Sequence, residues 1–355
     1  MNIVISTSNI ACGGGISVYV YTLANILANS GFSVHVITTH SSGKENEKNA
    51  HNLHKNVVLH STSSRNVVLR YFFTWNKLRC INPDVIINNY NGVVQYLLPL
   101  LSRKTKVIHV IHGVIDDFYR IASVNASLVS AWVTPSPAVA NQFNAYTGNR
   151  YKQKVFVIPH GVPATSFELN KTSQVPELTF IGVLYEHKGA HILPDIIKGI
   201  AEGGTPFHFN IVGDGLLREQ LEKSLSSEIE CGLVHFTGKV PTSKVNEILS
   251  RTSVFVYPTQ LDSFGLVIAE AMMSGAVPVV SRISGVTDSI VNTEENGYLV
   301  DKESVREFVD CVVRLLENTS LLEKMKKSAR MTAEEQFSVF RMRDCYVELI
   351  HNLGV

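Results

Sequence analysis

The chain has 355 residues, 45% of them hydrophobic, and a formal net charge of +1, which fits a folded globular protein with room for two domains. Its longest apolar run, near Val93 to Leu101, is broken by Gln95 and Pro99 and is too short to span a bilayer. Five scattered cysteines with no C-x-x-C pair argue for reduced thiols and against a disulfide frame or a zinc site, and no basic leader precedes Ile3-Val4-Ile5, so a cytoplasmic protein is expected.

The charge is unevenly spread. Up to residue 165 there are 14 Lys and Arg against 5 Asp and Glu, an excess of +9; the remainder carries 18 against 26, or −8. An anionic surface facing the first half would explain this asymmetry. No repeat, low-complexity segment or nucleic-acid module is visible.

The first half alternates short apolar strands with helical patterns, the signature of a parallel α/β sheet. Strands are predicted at Ile3–Ser6, Val34–Thr38, Val57–His60, Val85–Asn88, Val107–Val110, Trp132–Thr134 and Val155–Ile158. Gly13-Gly14-Gly15 follows the first strand and opens a helix with Val20, Leu23, Ala24 and Leu27 on one face. Such a loop lets a phosphate or an acceptor approach the backbone, or is simply a turn. A dinucleotide fingerprint would need glycine where Val18 stands and an acid near Thr38-Thr39-His40, so a dinucleotide oxidoreductase is disfavoured.

Residues Ser41 to Asn56 read as a polar loop. Arg65 to Arg79 reads as a helix in which Tyr71, Phe72, Phe73 and Trp75 are interleaved with Arg65, Arg70, Lys77 and Arg79. This pattern fits a membrane-surface helix, and equally a core helix with one solvated face. His112 follows the fifth strand, at the sheet end where open α/β folds bind ligands. Pro163 to Pro176 is polar and is expected to be the hinge.

The pattern restarts at Leu178–Gly182. Lys188-Gly189 is expected to open a helix, where a lysine opposes the dipole unless an anion sits beside it. Strands follow at Phe207–Val212 and Val234–Thr237, the latter leading to Gly238, Lys239 and Val240. Val254 to Ser281 then reads strand, loop, helix, strand. Val254-Phe255-Val256-Tyr257 ends at Pro258; Asp262 or Ser263 is expected to cap a helix from about Gly265 to Ser274, and Gly275 to stop it. Pro278 inside the next strand points to an edge or a bulge. Phe264 and Gly265 place backbone amides at a helix mouth, which favours a phosphate. Asp262 and Glu270 are unsuited to a phosphate but suit hydroxyl groups, so a sugar on each side of a phosphate, a sugar nucleotide, is expected; the bland alternative is an ordinary capped helix with a solvated Glu. Polar helices at about Ser304–Glu317 and Leu321–Phe337, and a last one from Phe340 to Leu353, close the chain.

Asp262-Ser263-Phe264-Gly265-Leu266-Val267, then Glu270-Ala271-Met272, Gly275 and Pro278, resemble the donor-binding motif of family-four retaining glycosyltransferases of the GT-B superfamily, of bacterial surface-polysaccharide type. Two acids flank seven residues in that motif, usually both glutamate; here the first is Asp262. The resemblance implies two Rossmann-like parallel-sheet α/β domains facing a central cleft, 1–165 joined by the helix 338–355 and 166–337. It implies a hexosyl transfer with retention from a nucleotide-diphosphate sugar to a hydroxyl of a glycan or lipid-linked glycan, without a metal cofactor. By the same resemblance, Glu270 holds the ribose, Asp262 the donor sugar, and Lys188 with the amides of Phe264, Gly265, Leu266 and Val267 the diphosphate. Val240 borders the base; His112 and the Gly14–Gly15 loop border the reacting sugar. The chain departs from the pattern at Val183, where an arginine is usual, and at His160, where asparagine is usual. The first domain is expected to touch an anionic membrane on its cytoplasmic face. The alternatives are a GT-B sugar-nucleotide epimerase and a non-catalytic nucleotide-sugar-binding subunit.

Overall fold

A computed structural model of the chain describes residues 1–10, 15–40, 44, 50–164 and 175–355. It divides into two compact units, one formed by 1–161 with 339–355, the other by 162–338.

In the first unit, strands β1 (Asn2–Thr7), β2 (Ser33–Thr38), β3 (Val57–Ser61), β4 (Val85–Asn89), β5 (Lys106–Val110), β6 (Ala131–Thr134) and β7 (Val155–Val157) make one parallel sheet in the order β3-β2-β1-β4-β5-β6-β7. Its central strands are runs of Ile and Val with no solvent-facing side, because helices cover both faces. Helices α1 (Gly15–Asn29), α2 (Val67–Ile81), α3 (Gly92–Leu97), α4 (Asp116–Ser123) and α5 (Pro137–Tyr146) belong to this unit. The expected apolar face of α1, Val20, Leu23, Ala24 and Leu27, is buried. Asn66 caps α2 by accepting from the N–H of Val68 and Leu69, and Asn82 ends it in the left-handed region. This helix buries Thr74 and Leu78; Phe72 and Phe73 are 52% and 43% exposed, so the aromatic run is not the core face.

In the second unit, β8 (Glu177–Ile181), β9 (His208–Val212), β10 (Val234–Gly238), β11 (Thr252–Tyr257), β12 (Val277–Ser281) and β13 (Tyr298–Val300) form a parallel sheet ordered β10-β9-β8-β11-β12-β13. Its helices are α6 (Leu193–Glu202), α7 (Arg218–Ser224), α8 (Ser226–Glu230), α9 (Thr242–Leu249), α10 (Leu266–Met273), α11 (Val305–Glu317) and α12 (Thr319–Gln336). The Pro278 expectation is corrected: β12 is an interior strand, paired with β11 and β13. Proline is tolerated because the β13 ladder starts one residue later, at Val279 opposite Tyr298.

The chain ends with α13 (Val339–Asn352), which buries Met342, Tyr346, Leu349 and Ile350 in the first unit's core, with the Tyr346 and Tyr19 hydroxyls hydrogen-bonded. Among the described residues no helix is long and apolar enough to cross a membrane.

Candidate active site

In the second unit the loops leaving β8, β9, β10 and β11 lie at the carboxyl ends of parallel strands, and hydrogen bonds tie them together. Leu184 N–H donates to Asp214 O, and Gly213 N–H to Gly238 O. The His187 carbonyl accepts from the N–H of Gln260 and Leu261 and from the Thr259 hydroxyl. That carbonyl fastens the loop after β8 to the loop after β11 and sets Lys188 beside Asp262. Gly189 makes the approach feasible. Its φ is +71°, and a Cβ there would lie 1.8 Å from Pro258 O, a distance no side chain can occupy. Lys188 is the last residue of a 3-10 turn, Glu186–Lys188, closed by left-handed Gly189, which in turn caps a second 3-10 turn, Ala190–Ile192, running into α6 at Leu193. The helical run thus starts directly after Lys188-Gly189, as expected, with a 3-10 first turn.

Lys188 Nζ is 2.8 Å from Asp262 Oδ2 and 3.3 Å from Leu261 O, and sits 5.7 Å from the Tyr257 ring centre. The Tyr257 hydroxyl donates to the same Oδ2 at 3.0 Å. Burial opposes ionisation of Asp262, but the Lys188 charge and the hydrogen bonds from Lys188, Tyr257 and the Phe264 N–H outweigh it and hold the carboxyl below its ordinary value. Burial, then the Asp262 charge, pushes the Tyr257 phenol well above its ordinary range, so its O–H remains a donor.

Asp262 Oδ1 accepts from the N–H of Ser263, Phe264 and Gly265 at 2.8, 3.4 and 3.1 Å. Asp262 thus caps the turn before the helix rather than the helix, and the Phe264 and Gly265 amides are already engaged. Gly265, at φ +86°, is the true N-cap, and a Cβ there would meet Ile268 at 2.8 Å. The amides of Leu266 and Val267, first in α10, have no preceding turn to bond to and remain for an anion at the positive end of the helix dipole. Phe264 is buried with its ring edge-on to Phe337. The helix ends as expected at left-handed Gly275, whose N–H donates to Met272 O.

Glu270 lies in the second turn of α10. Its side chain is partly buried, no hydrogen bond to its carboxyl is found among the described residues, and desolvation pushes it up to about 7. A partly desolvated carboxylate without a partner can accept hydrogen bonds from hydroxyl groups supplied by a ligand. Val183 is 44% exposed just beyond β8, Leu216 is 85% exposed in the loop after β9, and Val240 follows β10 partly buried.

In the first unit, His112 is buried at the carboxyl end of β5. One ring nitrogen, Nε2, lies 3.1 Å from Asn89 Oδ1, and Asn89 is itself oriented by donating to Ile87 O, so Nε2 carries the proton. Nδ1 is buried with no hydrogen-bond partner. Burial, then the nearby His160 and His109, holds the ring well below its ordinary value, so it is a neutral acceptor at neutral pH. Tyr19 packs edge-on to His112 at 4.9 Å and tilted against His160 at 4.7 Å. Gly15 opens α1; Gly14 lies outside the described residues. Among the described residues no three His, Cys, Asp or Glu side chains gather as metal ligands would.

Comparison with known proteins fits this geometry. The family described as Glycosyl transferases group 1 matches residues 162–332, and Glycosyltransferase Family 4 matches residues 13–166. The chain belongs to the family-four glycosyltransferases. A UDP-Gal:alpha-D-GlcNAc-diphosphoundecaprenol alpha-1,3-galactosyltransferase of Escherichia coli is 24% identical over 294 residues, covering 74% of each chain. An uncharacterized glycosyltransferase of Methanocaldococcus jannaschii is 23% identical over 95% of each. Among solved structures, Anabaena HepE in complex with UDP superposes with a TM-score of 0.80 at 17% identity, covering 99% of this chain and 100% of that one. The pneumococcal O-GlcNAc transferase GtfA, in complex with UDP and GlcNAc, does so with a TM-score of 0.78 at 14% identity over 99% of each. The architecture is therefore GT-B, and the protein is a glycosyltransferase enzyme.

For this family-four glycosyltransferase the structure brings Lys188, Asp262 and the start of α10 together in one unit, and places His112 and Gly15 in the other. Sequence reading missed Tyr257, which it took only as a strand residue, and Asn89, which sets the His112 tautomer. A tyrosine as the last residue of a strand, five positions before an acid, was the available signal for the first.

Proposed function

We propose that the enzyme transfers a hexosyl group, with retention, from a nucleotide-diphosphate sugar to a hydroxyl of a glycan or lipid-linked glycan. The observation that carries the reading is Glu270, a partly buried carboxylate with no hydrogen-bond partner among the described residues, on the helix whose first amides await an anion. In this reading Glu270 accepts from the ribose hydroxyls, Leu266 and Val267 N–H with Lys188 receive the diphosphate, and Asp262 takes the donor-sugar hydroxyls. Val240 borders the base. His112, neutral and with Nδ1 free of a partner, accepts from a hydroxyl of the transferred sugar, and the Gly14–Gly15 loop borders the same sugar.

The bond from the anomeric carbon to the phosphate oxygen breaks, and its electron pair stays on the diphosphate. The acceptor hydroxyl adds on the same face, and its proton passes to that departing oxygen. Negative charge grows on the diphosphate as the bond breaks, so Lys188 and the amides of α10 stabilise the transition state more than the ground state. Lys188 is bound to Asp262 in the free enzyme and must turn part of its charge to the diphosphate on donor binding. With Lys188 and the amides in this role, the reaction is proposed to need no metal.

The named acceptor of the E. coli relative, a diphosphoundecaprenol-linked sugar, supports a lipid-linked acceptor here. Calorimetric titration with UDP, GDP and ADP and their sugars tests the donor reading. One of them is expected to bind, and Glu270→Ala is expected to weaken it at least ~10-fold, since charged hydrogen bonds are worth roughly 1.5–3 kcal/mol each. No binding to any of them by the folded protein, or undiminished binding by the variant, contradicts it.

A further inference from the structure

Helix α2 is buried along Thr74 and Leu78, and its opposite side is apolar where a solvated helix would be polar. Val68 is 74% exposed, Phe72 52% and Phe73 43%, and Leu69 is exposed beside them. Phe72 lies 6.0 Å from Phe73 and 6.2 Å from Trp75, so the rings form one cluster, and the Arg79 guanidinium stacks 4.9 Å over the Trp75 ring. The neighbouring α3 and the turn after it add exposed Tyr96 and Leu100. Large apolar side chains grouped at a surface mark something that covers them.

The charges say what. From Lys55 to Lys106 the chain holds eight Lys and Arg and a single acid, Asp84. Arg65 and Arg79, near the two ends of α2, are exposed, as are Arg103 and Lys104 beyond Leu100. Arg70 belongs to the other side, where its guanidinium donates to Ser64 O and contacts His40. A protein partner for an apolar patch needs no such one-sided charge. An anionic lipid leaflet supplies both parts, headgroups for the cations and an apolar boundary for the aromatic rings. We propose that α2 lies in the surface of an anionic membrane, with Phe72 and Phe73 inserted and Arg65 and Arg79 at the headgroups. The proposal deepens the reading of a lipid-linked acceptor by naming the surface that brings the enzyme to it.

The test is co-sedimentation of the full chain with vesicles of phosphatidylcholine containing about 30% phosphatidylglycerol, against pure phosphatidylcholine, at low and high salt. Binding is expected with the anionic vesicles and is expected to fall with salt. Each cation at a leaflet contributes about fivefold in partitioning, so Arg65→Glu with Arg79→Glu is expected to lower it at least ~10-fold. Phe72→Ser with Phe73→Ser, both exposed and so compatible with folding, is expected to abolish it. Of the two tryptophans, Trp132 is fully buried, so quenching of emission by brominated lipid reports Trp75. A protein left in the supernatant with anionic vesicles, or a serine variant that binds as well as the parent, overturns the proposal. So does a dimer that forms with rising concentration and is lost in the serine variant, since a second copy would then cover the face. Donor titration of the serine variant, expected to be unchanged, separates this outcome from failure of the donor reading.

Discussion

Replacing Glu270 by glutamine separates what the carboxylate does for the ligand from what it costs the fold. The unfolded chain releases the Glu270 proton near its ordinary value of 4.5, the folded chain only at about 7. Between those values the folded state binds more protons, so its stability falls as pH rises through that window and stays low above it. The difference corresponds to at most about 3 kcal/mol at pH 8. Glu270→Gln has the same shape and no charge. It is expected to match the parent near the lower end of the window and to gain most of that energy by pH 8, roughly 6–12 °C in Tm for a unit of this size. The same change removes the charged acceptor proposed for the ribose, so nucleotide affinity is expected to fall at least ~10-fold. Thermal unfolding across pH with calorimetric titration of the nucleotide measures both. A glutamine variant that is no more stable at pH 8 than the parent, or that binds nucleotide equally well, would refute the reasoning, because the carboxylate would then be solvated or idle.

Asp262→Asn removes the anion that occupies Lys188, so nucleoside diphosphate affinity is expected to hold or rise by up to about fivefold while transfer falls; a parallel loss of both would place Asp262 in the fold rather than at the donor. Val183→Arg puts a cation on an exposed position beside the donor loops and is expected to tighten donor binding and make it salt-sensitive, which titration at two salt concentrations reads. Activity is expected to survive EDTA, and a loss restored by manganese or magnesium contradicts the role given to Lys188. His109, buried and held at about 3 by desolvation, stays neutral while the unfolded chain takes up a proton below about 6.5. Stability present above that value is therefore lost as pH falls, by about 2 kcal/mol at pH 5, and His109→Gln is expected to flatten denaturant unfolding curves across that range by this amount.

Much of the second unit was legible because its boundaries are chemical. The β-branched run of β11 stops at Pro258, and α10 stops at a glycine in the left-handed region. Less legible were features set by contacts distant in sequence. The turn that ends at Lys188 depends on Gly189 passing under Pro258, some seventy residues on, and a helix-start pattern cannot show that. Asp262 looked like a helix cap because its spacing allows one; the left-handed Gly265 takes that place, and the carboxylate serves the preceding turn and Lys188 instead. The partner of His112 comes from the end of β4, a strand edge that reads only as apolar sequence followed by asparagines. Interleaved cations and aromatics left α2 ambiguous between core and surface, and only burial, Thr74 and Leu78 inside with Phe72 and Phe73 outside, separates the two.

The central claim is retaining transfer from a nucleotide sugar, and the anomeric configuration of the first product formed tests it most directly. With the donor found by titration and a glycan or lipid-linked acceptor, proton NMR of the reaction as it proceeds should show a new glycosidic linkage with the same anomeric configuration as the donor, appearing together with free nucleoside diphosphate. A product of inverted configuration, or an altered nucleotide sugar released without any acceptor, would contradict the account.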